Sequence, residues 1–228
     1  MEKLNIVIPC YNEEELIENV IKSIPIDLIK KIGFEPEIII INTSTDKTGE
    51  IAKSLGAVVI EEPRRGYGRA YKTGFEYVKE GLITTFDADC TYHPSQIIVL
   101  LTHYLLHKKT DLFLSGNRFA QPEPNAFKPM NKFGNKMFNV MIRMLFNIKL
   151  NDSQTGMWLT SKESVSKLVL ENDGMPLSTE IKLEAKEKLN FVEVPITYKA
   201  RPNMAKIRIF SDGWKIVKFL LKRKFKKK

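Results

Sequence analysis

Apolar residues in the first half of the chain come in short, unbroken runs: "LNIVIP" (4–9), "EIIIIN" (37–42), "AVVIEE" (57–62), "LITTFD" (82–87) and "TDLFLS" (110–115). Runs of this length, rich in β-branched residues, are how strands covered on both faces read. Between them, stretches near 13–24, 46–55, 69–80 and 95–107 predict helices. The alternation predicts an α/β fold, an open and mainly parallel twisted sheet flanked by helices. Ligands of such sheets gather at the carboxyl ends of the strands. A Pro- and Asn-rich loop, "AQPEPNAFKPMN" (120–131), leads into a second half that reads as more helical and richer in methionine.

The segments at the carboxyl ends of these strands mark that side of the sheet as a candidate site. In chain order they are "PCYNEEE", "NTSTDKTG", "PRRGYGRAYKTG", "DADCTYHP" and "GNRF". Each carries polar, charged or glycine residues. Taken singly, the first two are ordinary helix starts, with Asn12 as a cap and acidic residues in a first turn. The third has closely spaced glycines beside cations, as a loop approaching phosphates needs, but not the dinucleotide-binding spacing. In the fourth, Asp87 and Asp89 stand two apart, so on a strand they share a face. Like charges so close raise each other's pKa unless a cation intervenes. A capped turn would need only one aspartate; two leave a metal site and a structural turn both open.

Charge narrows the choice of partner. The formal net charge is +9, but eight of the 36 basic residues lie between Trp214 and Lys228, leaving 28 against 27 acidic ones. A nearly neutral body argues against a broad nucleic-acid-binding face. Cys10 and Cys90 are far apart and form no metal-binding pair, so both are expected to be reduced. No apolar run approaches the roughly 20 residues of a membrane span. The start of the chain lacks the zones of a signal peptide, so a cytosolic protein is expected.

Seen together, "VIPCYNEE", "STDKTGEIAKSLGA", "RRGYGRAYKTGFE", "FDADCTYHP", "GNRF", "NDSQTGMWLTSKE" and "STEIKLEAKEKLNFVEVPITYKAR" resemble the GT-A-fold glycosyltransferases of family two. Within that family the chain is most similar to the dolichyl- or polyprenyl-phosphate sugar synthases, over roughly residues 3 to 222. The resemblance implies an inverting, metal-dependent transfer of a hexose from a GDP- or UDP-sugar to dolichyl or polyprenyl phosphate. It implies that Pro9, Tyr11, Glu13, Asn42, Asp87 and Arg118 contact the nucleotide sugar. Asp87 and Asp89 would form the DxD motif that holds Mg²⁺ or Mn²⁺. Arg201 and Lys206 would bind phosphate, and Asp89, Arg118 and Asp152 would be the catalytic residues. Asn42 stands where the family often has an aspartate, which leaves the nucleotide base open. Glu180 is the base available if the acceptor is a hydroxyl. A hydroxyl-directed transferase and a catalytically silent nucleotide-sugar-binding subunit remain alternatives.

A lipid-phosphate acceptor requires membrane docking, and two stretches suit it. Residues 130–150 hold four of the eight methionines and three phenylalanines. Residues 212–228 form a basic, Trp- and Phe-bearing amphipathic stretch of the kind that lies in a membrane interface. The expected organisation is a GT-A domain over 1–211 and a basic helix or tail over 212–228, peripheral at the cytosolic face of an anionic membrane.

Overall fold

The computed structural model describes residues 1–107, 109–202 and 209–226. Seven strands form one sheet: β1 (Glu2–Cys10), β2 (Phe34–Asn42), β3 (Val58–Glu61), β4 (Leu82–Thr85), β5 (Leu112–Pro122), β6 (Trp158–Ser161) and β7 (Asn190–Tyr198). Their order is β3-β2-β1-β4-β6-β5-β7. The pairs β2–β3, β1–β2, β1–β4 and β5–β7 are parallel, while β6 runs antiparallel between β4 and β5. The five expected strands are all present within a few residues. The second half is the more helical one, as expected, and it also adds β6 and β7 to the same sheet.

Helices cover both faces, which is why the strands read as continuously apolar. On one face lie α1 (Ile17–Lys22), α2 (Ile26–Lys31), α3 (Thr48–Ser54) and α5 (Gln96–His107). They pack Ile17, Val20, Ile29, Ala52, Ile97 and Leu100 against Ile6, Ile8 and Ile40. On the other lie α4 (Tyr67–Tyr77), α7 (Lys162–Ser166) and α8 (Leu177–Lys188), where Tyr71, Phe75, Val165 and Ile181 meet Val7, Ile41 and Trp158.

A third, smaller core joins α6 (Pro129–Phe146) to α9 (Ile209–Lys226). Phe138 and Ile142 of α6 meet Ile216 and Leu220 of α9 over Leu150 and Leu183. The stretch expected to be a basic helix or tail forms a helix docked on the body. Several of its cations hold it there. Arg223 donates to Glu184 at 2.7 Å and Glu187 at 3.2 Å, Lys224 donates to the Leu145 carbonyl, and Lys226 pairs with Glu171 at 3.2 Å.

Leu220 is fully buried in this small core. Leu220→Ala is expected to lower unfolding stability by about 3 kcal/mol, the usual cost of deleting a buried leucine side chain. Urea denaturation checks this, and a loss below about 0.5 kcal/mol, the scale of a surface change, would mean that α9 is not part of the folded core.

Candidate active site

A cleft of about 440 Å³ opens at the carboxyl ends of β1 and β4, lined among others by Pro9, Tyr11, Glu13, Asp87, Asp89, Arg118 and Arg201. Seven of the expected site residues thus share one space. Asp152 lies fully buried beneath it. Asn42 is close by but held: its amide nitrogen donates to both Glu61 oxygens at 3.0 and 3.1 Å, and its oxygen accepts from the Ser44 amide. Lys206 lies outside the described residues.

β4 stops at Thr85, so a turn, and not a strand face, presents the carboxylates. The Thr91 amide and hydroxyl donate to Asp89 Oδ1 at 3.1 and 2.5 Å, an Asx-turn. Cys90 at its apex has φ +61°, a left-handed conformation that non-glycine residues adopt where the surroundings over-determine it.

Asp87 is partly buried in the cleft wall, its Oδ1 accepting from the Tyr71 hydroxyl at 2.9 Å. Burial, with Asp89 next, pushes its pKa up to about 7. A cation stands by. Arg201 donates to Asp89 Oδ2 at 3.2 Å and to Glu13 Oε1 at 2.8 Å, bridging the two acids. Among the described residues no three metal-ligating side chains converge into a cage. Two carboxylates do fit Mg²⁺ or Mn²⁺, which are commonly held by one or two carboxylates together with substrate phosphates.

The floor is a buried ion pair. Arg118 Nε and Nη2 donate to Asp152 Oδ2 and Oδ1 at 2.7 and 2.8 Å, and the Arg118 amide adds a third bond at 3.0 Å. Burial alone would raise the Asp152 pKa, but Arg118 outweighs it and holds the carboxyl below its ordinary range. The guanidinium lies over the rings of Phe127 and Tyr198. Lys182, also fully buried, donates to the Thr155 carbonyl at 2.8 Å. Burial drives its pKa down to about 7.

The "DSQTG" segment builds that floor. Beyond Asp152, the Gly156 carbonyl accepts from Thr85 Oγ1 at 2.7 Å and its amide donates to Tyr92 at 2.8 Å. A Cβ on Gly156 would lie 2.6 Å from the Tyr67 hydroxyl, 2.8 Å from that of Tyr71 and 3.0 Å from Asp87 Oδ1. Only a hydrogen fits there.

Sequence reasoning missed Tyr67, Tyr71, Tyr92 and Lys182. The i, i+4 tyrosines at 67 and 71 were the available signal, since they face one way on a helix. The glycine-rich loop lines the cleft with Arg65 and Gly66 and also meets a packing demand. A Cβ on Gly66 would sit 2.3 Å from the Asp173 carbonyl oxygen, and one on Gly68 2.5 Å from that of Asn172. These glycines admit a neighbouring backbone. Glu180 fastens that backbone, accepting from the Glu171 and Asn172 amides at 3.1 and 3.0 Å. It does not line the cleft.

Comparison with known proteins places this geometry. Residues 5–169 match Glycosyl transferase family 2. The chain belongs to that family. It is 30% identical to a "Dolichyl-phosphate hexose transferase" of Haloferax volcanii, over 97% of this chain and 93% of the relative. It is 31% identical to the "Low-salt glycan biosynthesis hexosyltransferase Agl6" of the same organism, over 96% of this chain, and spans 53% of that longer relative. Glucosyl-3-phosphoglycerate synthase from Mycobacterium tuberculosis, solved with Mn²⁺, UDP and phosphoglyceric acid, superposes with a TM-score of 0.79 at 20% identity, over 98% of this chain and 78% of that one. Mannosyl-3-phosphoglycerate synthase from Rubrobacter xylanophilus superposes at 0.78 and 17% identity, over 99% and 74%. The fold is GT-A, as the resemblance implied.

Asp87 supplies a pH test of the metal-free chain. From its ordinary value of 3.8 up to about 7, the native state keeps a proton that the unfolded chain has released. Stability should therefore fall as pH rises through that window and level off above it. Asp87→Asn, which can still accept from Tyr71, removes this slope. Melting in chelator from pH 4.5 to 8 should show the variant gaining on the wild type as pH rises; parallel curves would contradict the burial of a protonated Asp87.

Proposed function

We propose that this protein transfers a hexose from a nucleotide diphosphate sugar to a dolichyl or other polyprenyl phosphate at the cytosolic face of a membrane. One observation carries the lipid part of the reading: α9 serves two surfaces at once. Asp212 and Lys215 line the cleft, while Phe210 and Trp214 stand 84% and 64% exposed on the same turns. Leu221 and Phe225 continue the exposed stripe, and α6 adds Met130, Phe133, Met137, Val140 and Met144. These residues recur at three- and four-residue spacing, one face of each helix.

Exposed cations flank the stripes, Lys132, Lys136 and Arg143 on α6 and Lys218 and Lys222 on α9. An apolar face bordered by basic residues suits the interface of an anionic bilayer. Among the described residues no helix is long and apolar enough to cross a membrane. The Haloferax relative's name supports the acceptor class.

The chemistry follows from the residues present. Cleaving a sugar–diphosphate bond leaves charge on the departing nucleotide, and a divalent cation at Asp87 and Asp89 would neutralise it. Arg201, now on Glu13 and Asp89, is placed to move onto a diphosphate. Arg118 and Asp152 fix the floor on which the sugar rests. A phosphate monoester has a second pKa near ~6 and is largely dianionic at neutral pH. It can attack without a general base, which agrees with Glu180 standing outside the cleft. The family resemblance supports inversion at the sugar.

A panel of UDP- and GDP-sugars, incubated with polyprenyl phosphate in anionic vesicles and Mn²⁺, tests the reading. A lipid-linked sugar is expected from one donor class, abolished by EDTA and by Asp89→Asn. Transfer confined to hydroxyl acceptors would contradict it. Replacing Phe210 and Trp214 together by serine should weaken vesicle co-sedimentation roughly tenfold, about 1.4 kcal/mol, with nucleotide affinity unchanged. Unaltered sedimentation would remove α9 as the docking surface.

A further inference from the structure

The cleft contains one acceptor that the protein leaves unsatisfied. Gln154 lines it together with Tyr67, Asp87, Gly174 and Met175. Its amide nitrogen donates to Thr179 Oγ1 at 2.6 Å and Ser153 Oγ at 3.3 Å. Its Oε1 is buried without a hydrogen-bond partner. A buried carbonyl left in that state is unfavourable, because it has given up its water without gaining a partner. The residue has little freedom to escape. Its own amide is held by Asp152 Oδ1 at 3.1 Å, Asp152 is locked to Arg118, and the next carbonyl accepts from Lys182. A group held this rigidly with one open acceptor is suited to receive a ligand hydroxyl.

The sheet order says which part of a ligand that is. Pro9, Tyr11 and Thr43 sit at the ends of β1 and β2, on one side of the carboxylate pair that follows β4. Gln154 lies on the segment entering β6, the neighbour of β4 on the other side. A nucleotide sugar bound with its diphosphate at Asp87 and Asp89 and its nucleoside over β1 and β2 would bring its hexose over β4 and β6, where Gln154 stands.

We propose that Gln154 accepts a hydrogen bond from a hydroxyl of the transferred hexose and is a specificity-determining residue for the donor sugar. Thr179 is its positioning residue. This rests on the transferase reading above. A site that hydrogen-bonds a substrate hydroxyl rejects the analogue lacking it, because its own polar group is then left buried and unmatched.

Calorimetry with Mn²⁺ compares the preferred nucleotide sugar, its monodeoxy-hexose analogues and the bare nucleoside diphosphate, on wild type and on Gln154→Met. The methionine is near-isosteric and lacks the acceptor; a melting curve checks its fold. The full donor is expected to bind the variant about tenfold more weakly, with nucleoside diphosphate unchanged. One deoxy analogue should lose about the same factor on the wild type and nothing further on the variant. If donor and nucleoside diphosphate weaken equally, or every analogue falls by one common factor, Gln154 is structural and the proposal is overturned while the transferase reading stands. If the wild type binds no nucleotide sugar, both fall. Transfer to an acceptor other than a lipid phosphate, with the analogue pattern intact, supports the proposal and removes only the acceptor.

Discussion

Two carboxylates two residues apart in the wall of a cleft cannot both stay charged without a cation beside them. That repulsion organises the mouth of the sheet. Asp87 answers it by keeping a proton up to about pH 7 and by accepting from Tyr71. Asp89 answers it by leaning on Arg201, which Glu13 holds from the other side. At rest two carboxylates share one guanidinium, and the arrangement offers its acids to any stronger cation. On the proposed reading a nucleoside diphosphate and a divalent ion together would meet both needs, the diphosphate drawing the guanidinium while the ion takes the carboxylates.

Beneath this exchangeable layer lies a fixed one. The Arg118–Asp152 pair has three hydrogen bonds and two aromatic faces around it, with Lys182 and Trp158 behind. Breaking such a pair costs several kcal/mol because the survivor is a buried, unmatched charge. On the proposed reading, a rigid floor under a movable charge would keep the sugar end of the cleft in place while the phosphate end rearranges. Gly156 makes the two layers meet, because two phenols and Asp87 converge on the position its side chain would fill.

The first five strands were legible because helices cover both faces, so no polar alternation masks the apolar runs. The last two were not. β6 is four residues inserted antiparallel, and β7 carries charged and polar residues at a sheet edge. α8 likewise hides its register, for it buries Glu180, Lys182 and Glu184 together with its apolar residues. Asp87 and Asp89 stood out because their chemistry needs two acids at fixed spacing. Gln154 and Lys182 were silent because their roles come from burial, which no local spacing encodes. The paired glycines at 66 and 68 were visible, but a phosphate and a neighbouring backbone make the same demand for space, and here the backbone of 172–173 makes it. The basic end of the chain was visible as charge alone. That Arg223, Lys224 and Lys226 grip the body while Lys218 and Lys222 face outward follows from the docking of α9.

Binding of Mn²⁺ by the full chain without nucleotide, followed by calorimetry for wild type and Arg201→Met, probes the balance at the cleft mouth. If Arg201 competes with the cation for Asp89, removing its charge should tighten Mn²⁺ binding about tenfold, a coupling within the usual range. Binding that is unchanged or weaker in the variant would show that the guanidinium and the metal do not compete, and that these carboxylates are not a cation site in waiting.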